Sequence, residues 1–121
     1  MVPAAHRMRS SQEFSRVIRH GRVTGRRALV LHFAGPTVAQ PGPVTVGLIV
    51  GRAVGGSVVR HRVSRRLRAQ LAERIPQLPP GAALVIRAKP SAAELGSAEL
   101  GRQLDSGLAA LTRSTADRAS R

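Results

Sequence analysis

Apolar residues along the chain switch between two periods, and the switches mark the element boundaries. Phe14, Val17 and Ile18 recur at helical spacing behind Ser10 and Glu13, a serine N-cap with a glutamate three residues on. That predicts a helix of about three turns, closed by Gly21 as a left-handed C′ residue. From Ala28 to Ala34 the period shortens to two, with Leu29, Leu31 and Phe33 on one face and Val30 and His32 on the other. Gly35-Pro36 and Gln40-Pro41-Gly42-Pro43 then interrupt, and Val44, Val46, Leu48 and Val50 mark a second strand. No crossover helix fits between these two strands, so direct antiparallel pairing across a long loop is predicted.

Gly51 to Gly56 leads into a helix at Ser57, where Val59, Val63, Leu67 and Leu71 repeat every fourth residue. His61, Arg62, Arg65 and Arg68 fall opposite that stripe, Arg66 flanks it, and Arg60 lies nearer the apolar side. Pro76, Pro79 and Pro80 end the helix. A third strand follows over Ala83 to Ala88, and Leu100, Leu104, Leu108 and Leu111 mark a third amphipathic helix that Gly101 and Gly107 weaken. The order is α-β-β-α-β-α. It predicts an α+β domain over residues 1–113, a three- or four-stranded sheet with helices mainly on one face, and a polar, disordered tail over 114–121.

Composition narrows the function. The 121 residues carry 20 Lys+Arg against 6 Asp+Glu, a net charge of +14. The excess sits in the first 74 residues, where fourteen arginines face only Glu13 and Glu73. The natural counter-surface of such a chain is a polyanion. With no cysteine there is neither a disulfide framework nor a thiolate site for zinc or catalysis. His6, His20, His32 and His61 are scattered, the acids are dispersed, and there is no nucleophile elbow or Walker loop. No catalytic and no metal-ligating residue is therefore expected. No apolar run approaches the ~20 residues of a membrane span and no apolar leader follows the first ten residues, so a cytoplasmic location is expected.

The second predicted helix carries the sharpest chemistry. Five arginines and one histidine within nine residues repel one another at i, i+3 and i+4, and only Glu73 lies nearby to offset them. Phosphates relieve that repulsion, and the loop before the helix could deliver a phosphate to its N-terminus. No second helix precedes it closely enough for a helix-turn-helix, so backbone recognition of folded RNA fits better than duplex DNA. With Phe14 and Phe33 as the only aromatics there is no stacking sheet, but Phe14 and Ile18 could line a groove opposite His32. They could equally be core residues.

The stretch GRAVGGSVVRHRVSRRLR, Gly51 to Arg68, resembles the signature of the bacterial ribonuclease P protein component. His6-Arg7-Met8-Arg9 with Glu13-Phe14, Val17 and Gly21 is similar to that family's opening, and Ile86 to Pro90 to its last strand and exit. The resemblance implies an accessory subunit of a ribonucleoprotein that removes 5′ leaders from precursor tRNA. In such an assembly the RNA is the catalyst and holds most of the Mg2+, and the protein alone binds no cofactor, small molecule or membrane. It also implies a left-handed β-α-β crossover. Carried over by position, Arg52, Arg60, His61, Arg62, Arg65, Arg66 and Arg68 bind the catalytic RNA, and Phe14, Ile18, His32, Arg87 and Lys89 form the leader groove. His61, Gly56 and Gly51 depart from the family pattern, and Ile18 and His32 stand where an aromatic is common. The alternative is a ribosomal or ribosome-assembly protein that binds rRNA with the same helix and has no use for a groove.

Overall fold

The computed structural model describes residues 2–36 and 42–119, with side chains described up to residue 112. Three helices, α1 (Ser11–His20), α2 (Ser57–Arg74) and α3 (Ser97–Ala119), accompany four strands, β1 (Arg22–Gly25), β2 (Leu29–Ala34), β3 (Thr45–Ile49) and β4 (Ala83–Ala88). The architecture is the α+β arrangement that the periodicity predicts. Helix α3 includes residues 114–119, part of the segment set apart by composition as a tail, and residues 120–121 lie outside the described residues. So do Gln40 and Pro41 of the predicted turn region.

The sheet order is β1-β2-β4-β3, which corrects the predicted pairing of β2 with β3. Strand β4 lies between them, antiparallel to β2 and parallel to β3, with α2 as the connection from β3 to β4. The physical reason is burial. Ala83, Leu84, Val85 and Ile86 are apolar on both faces and all lie within the core, which suits a central strand covered on both sides. Strand β3 is only half-buried along part of its length and takes the edge. Its outer side is partly covered by the N-terminal segment, where Arg7 bridges Val46 in parallel and Met8 N–H donates to the Val46 carbonyl at 2.8 Å. The edge strand β1 escapes prediction because four residues, Arg-Val-Thr-Gly, show too little alternation to read as a strand.

Register assigns every sheet residue to a face. Leu29, Leu31, Phe33, Val46, Leu84 and Ile86 share one face with Val63, Leu67 and Leu71 of α2 and Leu100, Leu104, Leu108 and Leu111 of α3. The other face holds Ala83 and Val85 under Val17 of α1, with Met8 and Phe14 beside them. Two helices therefore cover one side and α1 alone covers part of the other.

Helix α1 starts as predicted, with Ser10 Oγ accepting from the N–H groups of Gln12 and Glu13. Glu13 does not reach back to complete a capping box; its Oε1 accepts a hydrogen bond from the Thr45 hydroxyl at 3.0 Å. Nor is Gly21 in the left-handed conformation predicted for it. Its φ is −79°, and glycine is required there because a Cβ would stand 2.5 Å from the Val17 carbonyl oxygen and 2.7 Å from that of Phe33. Gly101 and Gly107, predicted to weaken α3, are contact points. A Cβ at Gly107 would meet the Leu31 side chain at 2.6 Å, and one at Gly101 the Gln70 side chain at 2.5 Å.

Among the described residues, Gln103 is the one buried polar side chain, and its Oε1 accepts from the backbone N–H of Ala28 at 2.9 Å. That bond satisfies an N–H that opens β2 and would otherwise be stranded in the core. Gln103→Leu should therefore lower stability by roughly 1–3 kcal/mol, read as a lower urea midpoint with an unchanged slope. An unchanged midpoint would show that the Ala28 N–H finds another acceptor.

Candidate nucleic-acid interface

Helix α2 presents its basic side chains in two sets. His61, Arg65 and Arg68 are exposed, as is Arg52 in the preceding loop, and Arg60 is half-buried near the apolar stripe. Arg62 departs from the outward placement expected of it, and Arg66 lies on the flank as expected. They are not turned fully outward; Arg62 donates to the Ala93 carbonyl at 3.3 Å and Arg66 to the Leu95 carbonyl at 2.8 Å. At about 100° per residue, positions 62, 66, 70 and 74 form one flank of the helix. Gln70 continues the row with a bond to Ser97 Oγ at 2.7 Å, and Arg74 ends it on Asp105 at 2.7 Å. This polar ladder clamps α2 along the turn over Pro90–Glu94 and the start of α3. Its four-residue spacing is present in the sequence, but the acceptors that give it meaning lie some thirty residues away.

None of Arg52, Arg60, His61, Arg62, Arg65, Arg66 and Arg68 pairs with a carboxylate among the described residues. The ion pairs there involve only Arg74 with Asp105 and Glu73, and Arg102 with Glu99. Asp105 titrates below the usual aspartate range because Arg74 donates to it. That exposed pair adds a small, screened stability which is present above the ordinary aspartate pKa and fades as pH falls through the lowered one. The N-terminus of α2 has no side-chain cap and no acid in its first turn. Ser57, Val58, His61, Arg62 and Arg65 line a shallow hollow of about 480 Å³ at that end. Positive side chains thus surround the positive end of the helix dipole.

The second site lies on the opposite side of the sheet. Pairing register aligns Val23, His32, Val85 and Gly47 in one row, and Gly25, Val30, Arg87 and Ile49 in the next. Phe14 rests over Gly47, where a Cβ would come within 2.5 Å of its ring. Ile18 is 40% exposed and Val23 60% exposed, so the strip between α1 and the β1–β2 edge is an open, largely apolar floor. Arg87 is exposed on it. Lys89 is half-buried and donates from Nζ to the Arg26 carbonyl at 2.5 Å, which turns it under the β1–β2 turn. Arg26 in turn bonds Thr24, Gly25 and the Ser106 carbonyl, tying that turn to α3. Desolvation first, and the neighbouring Arg87 second, hold the His32 pKa below its ordinary value, so the ring is neutral at neutral pH. Of the sequence-derived set, His32 and Arg87 lie together on this face of the sheet, and Ile18 is exposed on the helix that partly covers it. Phe14 forms its wall as a half-buried packing residue, and Lys89 is partly spent on structure.

Residues 2–112 match the family model described as Ribonuclease P. The chain belongs to the ribonuclease P protein family. The ribonuclease P protein component of Beutenbergia cavernae is 50% identical over 111 residues, covering 92% of each chain. That of Thermobifida fusca is 49% identical over 118 residues, covering 93% of this chain and 80% of the relative. Among solved structures, a Staphylococcus aureus RNase P protein mutant with defective mRNA degradation activity matches at a TM-score of 0.75, with 17% identity over 86% of each chain. The RNase P protein from Thermotoga maritima matches at 0.70, with 19% identity over 88% of this chain and 96% of that one. These structures establish the fold. As a ribonuclease P protein component, the chain is the accessory protein subunit of a ribonucleoprotein endonuclease. It acts in 5′ maturation of tRNA as a partner of the ribonuclease P RNA. Among the described residues no group of three or more His, Asp or Glu could hold a metal ion, and no helix is long and apolar enough to cross a membrane.

Two measurements check this geometry. Arg66→Ala should cost about 0.5–1.5 kcal/mol through its lost bond to the Leu95 carbonyl, whereas Arg65→Ala should stay within about 0.5 kcal/mol of the parent in the same melts. Equal effects would mean that the ladder does not clamp the helix. In an NMR titration His32 should protonate below the ordinary histidine midpoint, and Arg87→Gln should raise that midpoint only part-way, because burial is the larger cause. The same shift makes the folded state lose stability as pH drops from the ordinary histidine pKa through the lowered one. A midpoint that returns fully to the ordinary value would assign the shift to charge alone.

Proposed function

We propose that the outer face of α2 binds the phosphate backbone of the ribonuclease P RNA and that the α1–sheet groove receives the single-stranded 5′ leader of precursor tRNA. The observation that carries the reading is the set of α2 arginines with no carboxylate partner among the described residues while the helix is clamped from its other sides. Arg52, Arg60, His61, Arg65 and Arg68 make the outer contacts. Arg62 and Arg66, each bonded to one carbonyl through one terminal nitrogen, keep the other for RNA with side chains already ordered, which lowers the entropy cost of binding. In the groove, Ile18 and the neutral His32 ring offer surface to bases, and Arg87 and Lys89 offer charge to phosphates.

The protein's part in the reaction is electrostatic and positional. It reduces repulsion between two polyanions and holds the leader so that the bond to be cut meets the RNA active site. The cationic faces of this chain do not suit a divalent ion, and Mg2+ is held mainly by the RNA. The ribosomal alternative shares the α2 face but leaves the opposing groove without a role.

Reconstitution at low Mg2+ tests the reading. The protein should enable a ribonuclease P RNA to remove leaders from precursor tRNA, and Arg65→Ala with Arg68→Ala should weaken its affinity for that RNA without altering its melting. With four to six phosphates engaged at ~0.7–0.9 each, the log–log salt slope should be roughly 3 to 5. Ile18→Asp should weaken binding of precursor tRNA and spare mature tRNA. A flat salt dependence would remove the α2 assignment, and equal losses on both tRNAs would remove the groove.

A further inference from the structure

The solvent side of α1 carries a second cluster of cations that neither the α2 face nor the groove engages. Arg19 and Ser15 are exposed along its crest, and Arg16 is half-buried on the flank away from Ile18. Two shallow hollows, about 330 and 410 Å³, adjoin there and share Gln12 and Arg16 in their linings. Glu13 is the only acid of the helix, and its Oε1 is engaged by Thr45. Among the described residues no carboxylate lies within ion-pair distance of Arg9, Arg16 or Arg19. Arg16 Nε is screened from solvent without a partner. Compensation of the helix dipole accounts for Arg19 and His20 in the last turn, but not for Arg16 in mid-helix or Arg9 ahead of it. Like charges at i, i+3 destabilise an isolated helix, so Arg16 beside Arg19 calls for an external anion.

We propose that this crest carries the 5′ continuation of the leader beyond the groove, with Arg16 and Arg19 on its phosphates and Ser15 and Gln12 as neutral donors beside them. The inference rests on the groove reading above. The substrate strand is the occupant because α1 and α2 cover opposite faces of the sheet. At about 100° per residue Ser15 and Arg19 lie beside Ile18 on the exposed side of α1, so a strand seated against Ile18 meets them first and reaches Arg16 by crossing the crest. Arginines, a hydroxyl and an amide with no aromatic among them recognise backbone and not base, so the contact is indifferent to sequence and sensitive to leader length.

The test uses the reconstituted holoenzyme and precursor tRNAs whose leaders either end within the groove or extend several nucleotides past it. The double variant R16Q/R19Q should bind long-leader substrate about five- to tenfold more weakly and short-leader substrate unchanged. Its salt slope on the long leader should be shallower by ~0.7 for each phosphate no longer neutralised. R16K/R19K, which keeps the charges, should recover most of the affinity. No loss at any length, or an equal loss at every length, overturns the proposal. A loss confined to assembly with the catalytic RNA overturns it as well and gives the surface to that RNA. Ile18→Asp, measured on the short leader, reports on the groove separately, so failure of the groove and failure of the crest are told apart.

Discussion

Burial of Val63, Leu67 and Leu71 against the sheet holds α2 in one rotational setting, and every cation on the helix takes its place from that setting. Each such side chain contributes on the order of 1.5–3 kcal/mol when fully buried, far more than the repulsion between neighbouring exposed arginines costs. The helix can therefore tolerate a dense, unneutralised charge on its outer side. The ladder from Arg62 to Arg74 adds direction to that anchor, because its bonds to the carbonyls of residues 93 and 95, to Ser97 and to Asp105 prevent rolling about the helix axis.

The sheet divides the labour. With β4 buried between β2 and β3, its two faces support different chemistry: the leucine-rich side seats α2 and α3, and the smaller Ala83 and Val85 side is covered only in part by α1. That incomplete cover leaves Ile18, Val23, His32 and Arg87 accessible as a floor. Gly47 matters here because it lets the Phe14 ring lie against the strand, which brings α1 close without filling the floor. On the proposed assignment, the ribonuclease P RNA and the leader would approach from opposite faces of the four-stranded sheet.

Function is legible in the sequence to an unusual degree, for a physical reason. An RNA partner that is read through phosphates leaves its mark as charge, and a net charge of +14, of which +12 lies ahead of residue 75, survives any error in topology. The motif around Arg60 to Arg66 is local, so its spacing can be read without a fold. The residues proposed for the groove can be named from the sequence, but their structural roles cannot. Whether Phe14 is wall or core depends on what lies beneath it, and that is a glycine thirty-three residues away in sequence. Gly101 and Gly107 likewise read as flaws in a helix until Gln70 and Leu31 show what they make room for.

By itself, then, the sequence determined the helices, three of the four strands, the basic face and the class of partner. All of these follow from periodicity, capping and charge within short stretches of chain. Tertiary structure alone decided that β4 inserts between β2 and β3, that Arg62 and Arg66 turn to backbone carbonyls, that Glu13 serves Thr45, and which residues of the α1 side stay uncovered. Each is a choice among partners distant along the chain. Such choices are settled by which arrangement buries the most apolar surface with every polar group satisfied, a sum taken over the whole molecule.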